Sequence, residues 1–274
     1  MKKNRIIPVL LLRNGFLVQS RGFSRYQNVG NPIIAVRRLT EWASDELIYL
    51  DITRDDHYDM RRDDLKHPNR NNIIDIIKDV SRESYMPITV GGKIRVMEDI
   101  AIRLENGADK VAINTIALER PDFITQAAKE FGSQCIVVSI DAKIVDGKYC
   151  VMSRCGQEKT SYEPAAWAKI AQENGAGEIL LNSIDRDGMK NGYDLELIKS
   201  VCDRVKIPVI ACGGAGEWGH FLDVLKDTKA DAVAAANIFH YIDQSVCLVK
   251  KYLYERKCNV RNPDLLKKSE EIAI

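Results

Sequence analysis

Residues 45–53 read DELIYLDIT, and 132 positions later residues 177–185 read GEILLNSID. Each stretch sets a glutamate ahead of a short apolar run and a carboxylate at its far end. The similarity extends outward. PITVGG at 87–92 has its counterpart in PVIACGG at 208–214, and GADK at 107–110 in KADA at 229–232. The first apolar run, which contains VLLLRNG at 9–15, pairs in the same way with SIDAKIVDG at 139–147 and sets Leu11 opposite Asp141. A repeat this long indicates a duplicated half-domain, because solenoid units are shorter.

The repeated runs belong to a set of eight: IIPVLLL, ELIYLDIT, PITVGG, KVAINT, CIVVSID, EILLNSID, PVIACGG and AVAAANIF. Between most of them lie segments such as NPIIAVRRLTEWAS, MEDIAIRLENGA and EPAAWAKIAQENGA, with apolar residues every three or four positions and glycine ending the pattern. Eight strands with interleaved helices predict a single (β/α)8 TIM barrel over 1–274, with half-barrels at approximately 1–132 and 133–258. A doubly wound open sheet has the same element order and stays open at this point. The polar stretch 54–72 is long for a loop after strand two, and such loops are usually functional.

Composition narrows the class. The chain is 45% hydrophobic and 29% charged with a formal net charge of +1, as expected of a globular enzyme and without a basic bias toward nucleic acid or membrane surfaces. No run of about 18 apolar residues exists to span a bilayer. The N-terminal MKKNRIIPVLLLRNG reads as a first strand, since its apolar run is short and lacks a cleavage site. Seven scattered cysteines without a C-x-x-C pair suggest reduced thiols and a cytoplasmic protein. The four histidines lack metal-ligand spacing, so no metal is expected.

In a barrel of this kind the chemistry sits at the C-terminal ends of the strands. Those ends carry Gly91-Gly92, Asn114-Thr115, Gly213-Gly214 and Ala235-Ala236-Asn237. Small residues there let backbone N–H groups close on an anion, and two equivalent cradles suit a substrate with phosphate at both ends. The alternative is that the glycines only permit tight turns. Acids converge on the same rim: Asp51, Asp141, Asp185 and Asp187. Asp141, with Lys143 two residues on, is the candidate for proton exchange, because an apolar mouth raises a carboxyl pKa. For Asp51 and Asp185 a second reading is a loop-capping carboxylate. At the opposite ends of the strands stand Arg5, Glu46, Lys110 and Glu178, which have the signs needed for a ring across the barrel floor.

With these residues in place, the chain from Arg5 to about Arg261 resembles the cyclase subunit of imidazole glycerol phosphate synthase, HisF. The likeness rests on RIIP, DELIYLDIT, TVGGKI, GADKVAINT, VVSIDAK, GAGEILLNSIDRDG, ACGGAG and AAANIFH. The resemblance implies a partner, a HisH-like glutamine amidotransferase, whose ammonia enters the barrel floor and reaches a bisphosphorylated ribulosyl-formimino substrate at the mouth. The products are imidazole glycerol phosphate and an aminoimidazole carboxamide ribotide, and no cofactor is implied. Arg5, Glu46, Lys110 and Glu178 match the family's ammonia gate, Asp109 its amidotransferase-facing motif, and Asp141 one of its two catalytic aspartates. Gly91, Gly92, Asn114, Gly213, Gly214, Ala235 and Ala236 match its phosphate motifs, and Thr115, Asn182, Asp187 and Asn237 are candidates for substrate or phosphate binding beside them.

The chain departs from the family pattern around the first strand. The other catalytic aspartate is Leu11, a loop lysine is Gln19, a third glycine is Lys93, a threonine is Asn182 and a phosphate-site serine is Asn237. Leucine moves no proton, and general acid–base help is worth roughly 10²–10⁴-fold. An intact gate beside a missing acid suggests ammonia delivery to a different acceptor. Diverged relatives of this kind convert an acetamido to an acetamidino sugar in surface-polysaccharide pathways. A non-catalytic ammonia conduit and the related phosphosugar isomerase are the other readings.

Overall fold

The computed structural model describes residues 3–59 and 70–263. Along the chain run β1 (Arg5–Arg13), β2 (Phe16–Arg21), β3 (Arg25–Gly30), α1 (Pro32–Glu41) and β4 (Leu47–Asp51). Next come α2 (Ile73–Glu83), β5 (Ile88–Gly91), α3 (Met97–Glu105), β6 (Lys110–Ile113), α4 (Thr115–Glu119) and α5 (Asp122–Phe131). The second half continues with β7 (Ile136–Val145), β8 (Lys148–Ser153), β9 (Glu158–Lys159), α6 (Pro164–Glu173), β10 (Glu178–Ser183) and α7 (Leu195–Cys202). It ends with β11 (Val209–Cys212), α8 (Trp218–Asp227), β12 (Ala232–Ala235), α9 (Ile238–Tyr241) and α10 (Ser245–Glu255).

The helices begin where side chains cap them. Asn31, Asn72 and Asp194 accept hydrogen bonds from the backbone amides of Ile33, Asp75 and Leu197, meeting donors that the first turn leaves free. Pro32 and Pro164 occupy first-turn positions, where a missing N–H costs nothing.

Eight strands pair in parallel in the order β10-β11-β12-β1-β4-β5-β6-β7, and β10 pairs back onto β7 to close the barrel. This closure settles the choice against an open sheet. Two antiparallel extensions were not legible as strands in the sequence. β2 and β3 continue from β1, while β8 and β9 continue from β7. Both hairpins therefore leave the strands that the internal repeat makes equivalent.

Strand alternation divides the apolar residues into two cores. Ile6, Leu10 and Leu12 face the helices, together with Trp167 and Phe123. Ile7, Val9, Leu11, Ile48, Ala112, Val137 and Leu180 fill the barrel interior. The barrel is thus packed with side chains between its two ends. The floor is further fixed by Lys250, whose ammonium is buried against Asp45 at 2.7 Å, while Asp45 also accepts the Ile6 amide at 2.8 Å. Among the described residues no helix is long and apolar enough to cross a membrane. The 54–72 stretch lies partly outside the described residues. Its described beginning folds back over β4.

Candidate active site

At the barrel floor the four charges meet. Arg5 Nη1 donates to Glu46 Oε1 at 2.8 Å, and Arg5 Nη2 donates to Glu178. Lys110 Nζ donates to Glu46 Oε2 at 3.2 Å and to Glu178 Oε2 at 3.0 Å. Each cation binds both anions, so the four side chains form a closed ring. Their positions at or just before the starts of β1, β4, β6 and β10 aim them at the axis. Burial opposes ionisation of Glu178, but Arg5 and Lys110 outweigh it and hold the carboxyl below the usual range. Asp109, exposed on the same end, accepts the Ile88 amide at 2.8 Å and braces the turn into β6.

At the other end a cavity of about 660 Å³ opens, lined by Leu11, Asn114, Thr115, Ser139, Asp141 and Asn182 among others. Asp141 is 8% exposed, and Asn114 Nδ2 donates to its Oδ2 at 2.8 Å. Burial pushes its carboxyl up to about 7; the charge of Asp187 adds to this, and the Asn114 hydrogen bond opposes it. A carboxyl with that pKa gives and takes protons near neutrality. Four cations, Arg54, Lys93, Arg95 and Arg154, stand on the loops around the cavity. Three of them are already engaged: Lys93 with the Asp55 and Asp56 carbonyls, Arg95 with Asp56, and Arg154 with Glu119 and Glu158.

The remaining expected residues divide between the two halves of the mouth. Gly92, Asn114, Thr115 and Asn182 line the cavity, whereas Gly91, Asp187, Gly213, Gly214, Ala235, Ala236 and Asn237 do not. The Gly-Gly pairs have a packing reason of their own. A Cβ on Gly92 (φ +98°) would stand 2.1 Å from the Asp51 carbonyl oxygen, and one on Gly214 (φ +110°) 2.1 Å from that of Gly192. Asp187 receives the β2–β3 hairpin, accepting from Ser20 Oγ at 2.6 Å and from the Phe23 amide at 3.4 Å. Asn237 Nδ2 donates to the Ser20 carbonyl at 2.7 Å, and Tyr241 OH donates to Gln19 at 2.7 Å. The hairpin after β1 therefore rests on the ends of β10 and β12, beside the second expected cradle.

Asp51 and Asp185 are capping carboxylates. Asp51 accepts from the Thr53 amide and from Tyr58 OH, each at 2.9 Å, and Asp185 accepts the Ile144 amide at 2.7 Å. Lys143 does not join Asp141. It borders a separate depression with Arg21, Arg25 and Asp185. The sequence reading missed Ser139, although a period of two back from Asp141 reaches it. It also missed Arg54, Arg154 and Cys155, which arrive on loops that no strand pattern marks.

The comparisons with known proteins agree with this architecture. The family model for the histidine biosynthesis protein matches residues 5–244. The imidazole glycerol phosphate synthase subunit HisF of Geobacillus thermodenitrificans (strain NG80-2) is 44% identical over 263 residues, covering 95% of this chain and all of the relative. The same-named subunit of Alkaliphilus metalliredigens (strain QYMF) is 42% identical over 262 residues, again covering 95% of this chain and all of the relative. A closed eight-stranded barrel and a family match spanning most of its length lead to one conclusion: the chain is a HisF-like member of the histidine biosynthesis protein family.

Proposed function

We propose that the protein is the ammonia-using subunit of a glutamine amidotransferase pair. It takes ammonia from a HisH-like partner at the floor and delivers it to a phosphorylated acceptor at the mouth. The closed ring of Arg5, Glu46, Lys110 and Glu178 carries this reading. A ring in which each cation holds both anions is an expensive way to finish a barrel floor, since buried ion pairs seldom add net stability. It makes sense as a door onto an interior of Ile7, Ile48, Ala112, Val137 and Leu180, through which neutral ammonia passes and ions do not. At the mouth, ammonia adds to an electrophilic carbon–oxygen bond of the acceptor: the new C–N bond forms, the carbon's oxygen leaves as water, and Asp141 relays protons from the nitrogen to that oxygen.

Leu11 favours a second statement about the acceptor. The relatives named above are imidazole glycerol phosphate synthase subunits, 44% and 42% identical to this chain over 95% of its length. It holds leucine where the family motif has its other acid. We infer an acceptor other than the ribulosyl-formimino compound, with the acetamido group of a nucleotide-linked sugar as the leading alternative. The pair supplied with glutamine and each acceptor in turn tests both statements. Amination of the sugar with slow imidazole glycerol phosphate formation is expected. Rapid imidazole glycerol phosphate formation would remove the diverged acceptor, and no glutamine-dependent transfer to either compound would remove the whole reading. Replacing Asp141 by asparagine separates an enzyme from a conduit: an enzyme loses turnover, while a conduit keeps glutaminase stimulation and ammonia passage.

A further inference from the structure

We propose that Asn114, Asp141 and Asn182 form a cage for ammonium at the inner end of the mouth cavity, with the Ser139 hydroxyl beneath it. The cage deepens the ammonia reading and rests on it.

Two observations point to a ligand here. The side-chain oxygens Asn114 Oδ1 and Asn182 Oδ1 are both buried, and neither has a hydrogen-bond partner. Buried carbonyl oxygens are nearly always paired, because an unpaired one forfeits its hydration. Both residues line the same cavity as Asp141. Asn182 is the direct register partner of Asp141 across β10 and β7, and Asn114 already donates its amide to that carboxylate. Gly213 leaves the second oxygen uncrowded, since a Cβ there would stand 2.9 Å from Asn182 Oδ1.

The chemistry of the cluster selects the ligand. Its uncommitted groups are two amide oxygens and a carboxylate, with a hydroxyl that can also accept. Among the described residues no cation forms an ion pair with Asp141. The cationic side chains of the mouth sit on the loops, and Lys93, Arg95 and Arg154 are bound to partners of their own. A site of acceptors around one negative charge calls for a small cation with N–H bonds in every direction, which is ammonium. Leu11 limits the negative charge: an acid there would add another anion opposite Asp141, beyond Asp187, whose charge Asp141 already feels. The location is also right, because Ser139 and Asp141 continue the inward-facing column that begins above the floor with Val137.

Capture follows from a balanced proton transfer. Protonated Asp141 gives its proton to arriving ammonia, leaving carboxylate and ammonium in contact. The reverse transfer frees ammonia, with its lone pair restored, when an acceptor is in place; Asp141, protonated again, passes that proton to the acceptor's departing oxygen before it takes one from the nitrogen. The groups that face Asp141 electrostatically are Asp187, Cys155 and Cys212. None of them is a cation that would compete with ammonium.

The test is direct binding to the isolated barrel, followed through the carboxyl carbon of Asp141 in aspartate-labelled protein and assigned with Asp141→Asn. Titrations are run in ammonium chloride, potassium chloride and tetramethylammonium chloride at equal ionic strength. Ammonium is expected to lower the Asp141 midpoint by about one pH unit relative to tetramethylammonium, a tenfold preference for the ionised form. In Asn182→Leu that displacement is expected to vanish, with Tm unchanged or raised because an unpaired buried oxygen is gone. No ammonium-specific displacement, an equal one with potassium, or one that survives in Asn182→Leu overturns the cage. The salt comparison on the unaltered protein decides the matter should the variant not fold. Absent binding with intact glutamine-dependent transfer defeats the cage alone. Binding without transfer to any acceptor defeats the functional reading alone.

Discussion

Leu11 on β1 and Asp141 on β7 stand four strands apart in either direction round the closed barrel, so they face each other across its mouth. One wall of the chamber titrates near neutrality and the opposite wall is hydrocarbon. Most of what is distinctive in this chain follows from that opposition.

Returning an acid to the apolar wall probes it. Leu11→Asp sets a second carboxylate opposite Asp141, and like charges raise the pKa of the pair. With free ammonium as the nitrogen source, imidazole glycerol phosphate formation is expected to rise by roughly 10²–10⁴-fold over the unaltered protein. Equal single-turnover rates for the two proteins would show that Leu11 is not what limits this reaction.

The ionisation of Asp141 also shapes stability. Its carboxyl is raised in the folded state from 3.8 to about 7, so its contribution is most favourable below about pH 4. That contribution falls as pH climbs toward 7 and stays low above it, where the buried group is charged. The full difference is on the order of 4 kcal/mol, taken at about 1.4 kcal/mol per pH unit. Thermal melts should therefore show Asp141→Asn gaining on the unaltered protein between about pH 4 and pH 7, with a constant gap beyond. A gap independent of pH would mean that Asp141 titrates as an ordinary carboxyl.

At the floor, Glu178→Gln leaves Arg5 and Lys110 to share Glu46. Removing one member of a buried ionic cluster costs about 3–5 kcal/mol, which calorimetry will register. The functional signature is selective. Glutamine-coupled transfer should fall several-fold while turnover with free ammonium, which enters at the mouth, stays the same. Equal losses from both nitrogen sources would assign the ring to stability alone.

Lys250 offers a purely structural counterpart. Its ammonium and the Asp45 carboxylate are each only 2% exposed. Lys250→Met strips the charge from that pair and is expected to lower Tm by on the order of 10 °C. Asp45 also holds the Ile6 amide, next to Arg5, so the start of β1 should loosen with it. Hydrogen exchange at Ile6 reports this directly. Protection that matches the unaltered protein would disconnect α10 from the charged ring at the floor.

Much was legible in one dimension. Apolar runs eight times over, helices with caps between them, and a repeat of 132 residues define a barrel because strand and helix periodicities are local properties of the chain. The four floor charges were legible as an inventory for a related reason: each sits at or just before a strand's start, and parallel strands put their starts at one end. Asp141 stood out because it closes the fifth apolar run with Lys143 two residues on, although Lys143 turns out to border a different depression.

What the sequence left open depends on distances between residues far apart in the chain. β10 closing on β7, each cation of the ring touching both glutamates, and Asn182 lying beside Asp141 are all consequences of register between strands. A strand's own pattern does not encode which residue its neighbour will present. The rim acids divided for the same reason. Asp51, Asp185 and Asp187 look alike in the chain, yet backbone amides and hydroxyls occupy them, from nearby residues at Asp51 and from distant segments at Asp185 and Asp187. Asp141 faces the cavity with the Asn114 amide as its hydrogen-bond donor. Local periodicity made the barrel, and only closure in three dimensions decided which of its polar groups were left to bind something else.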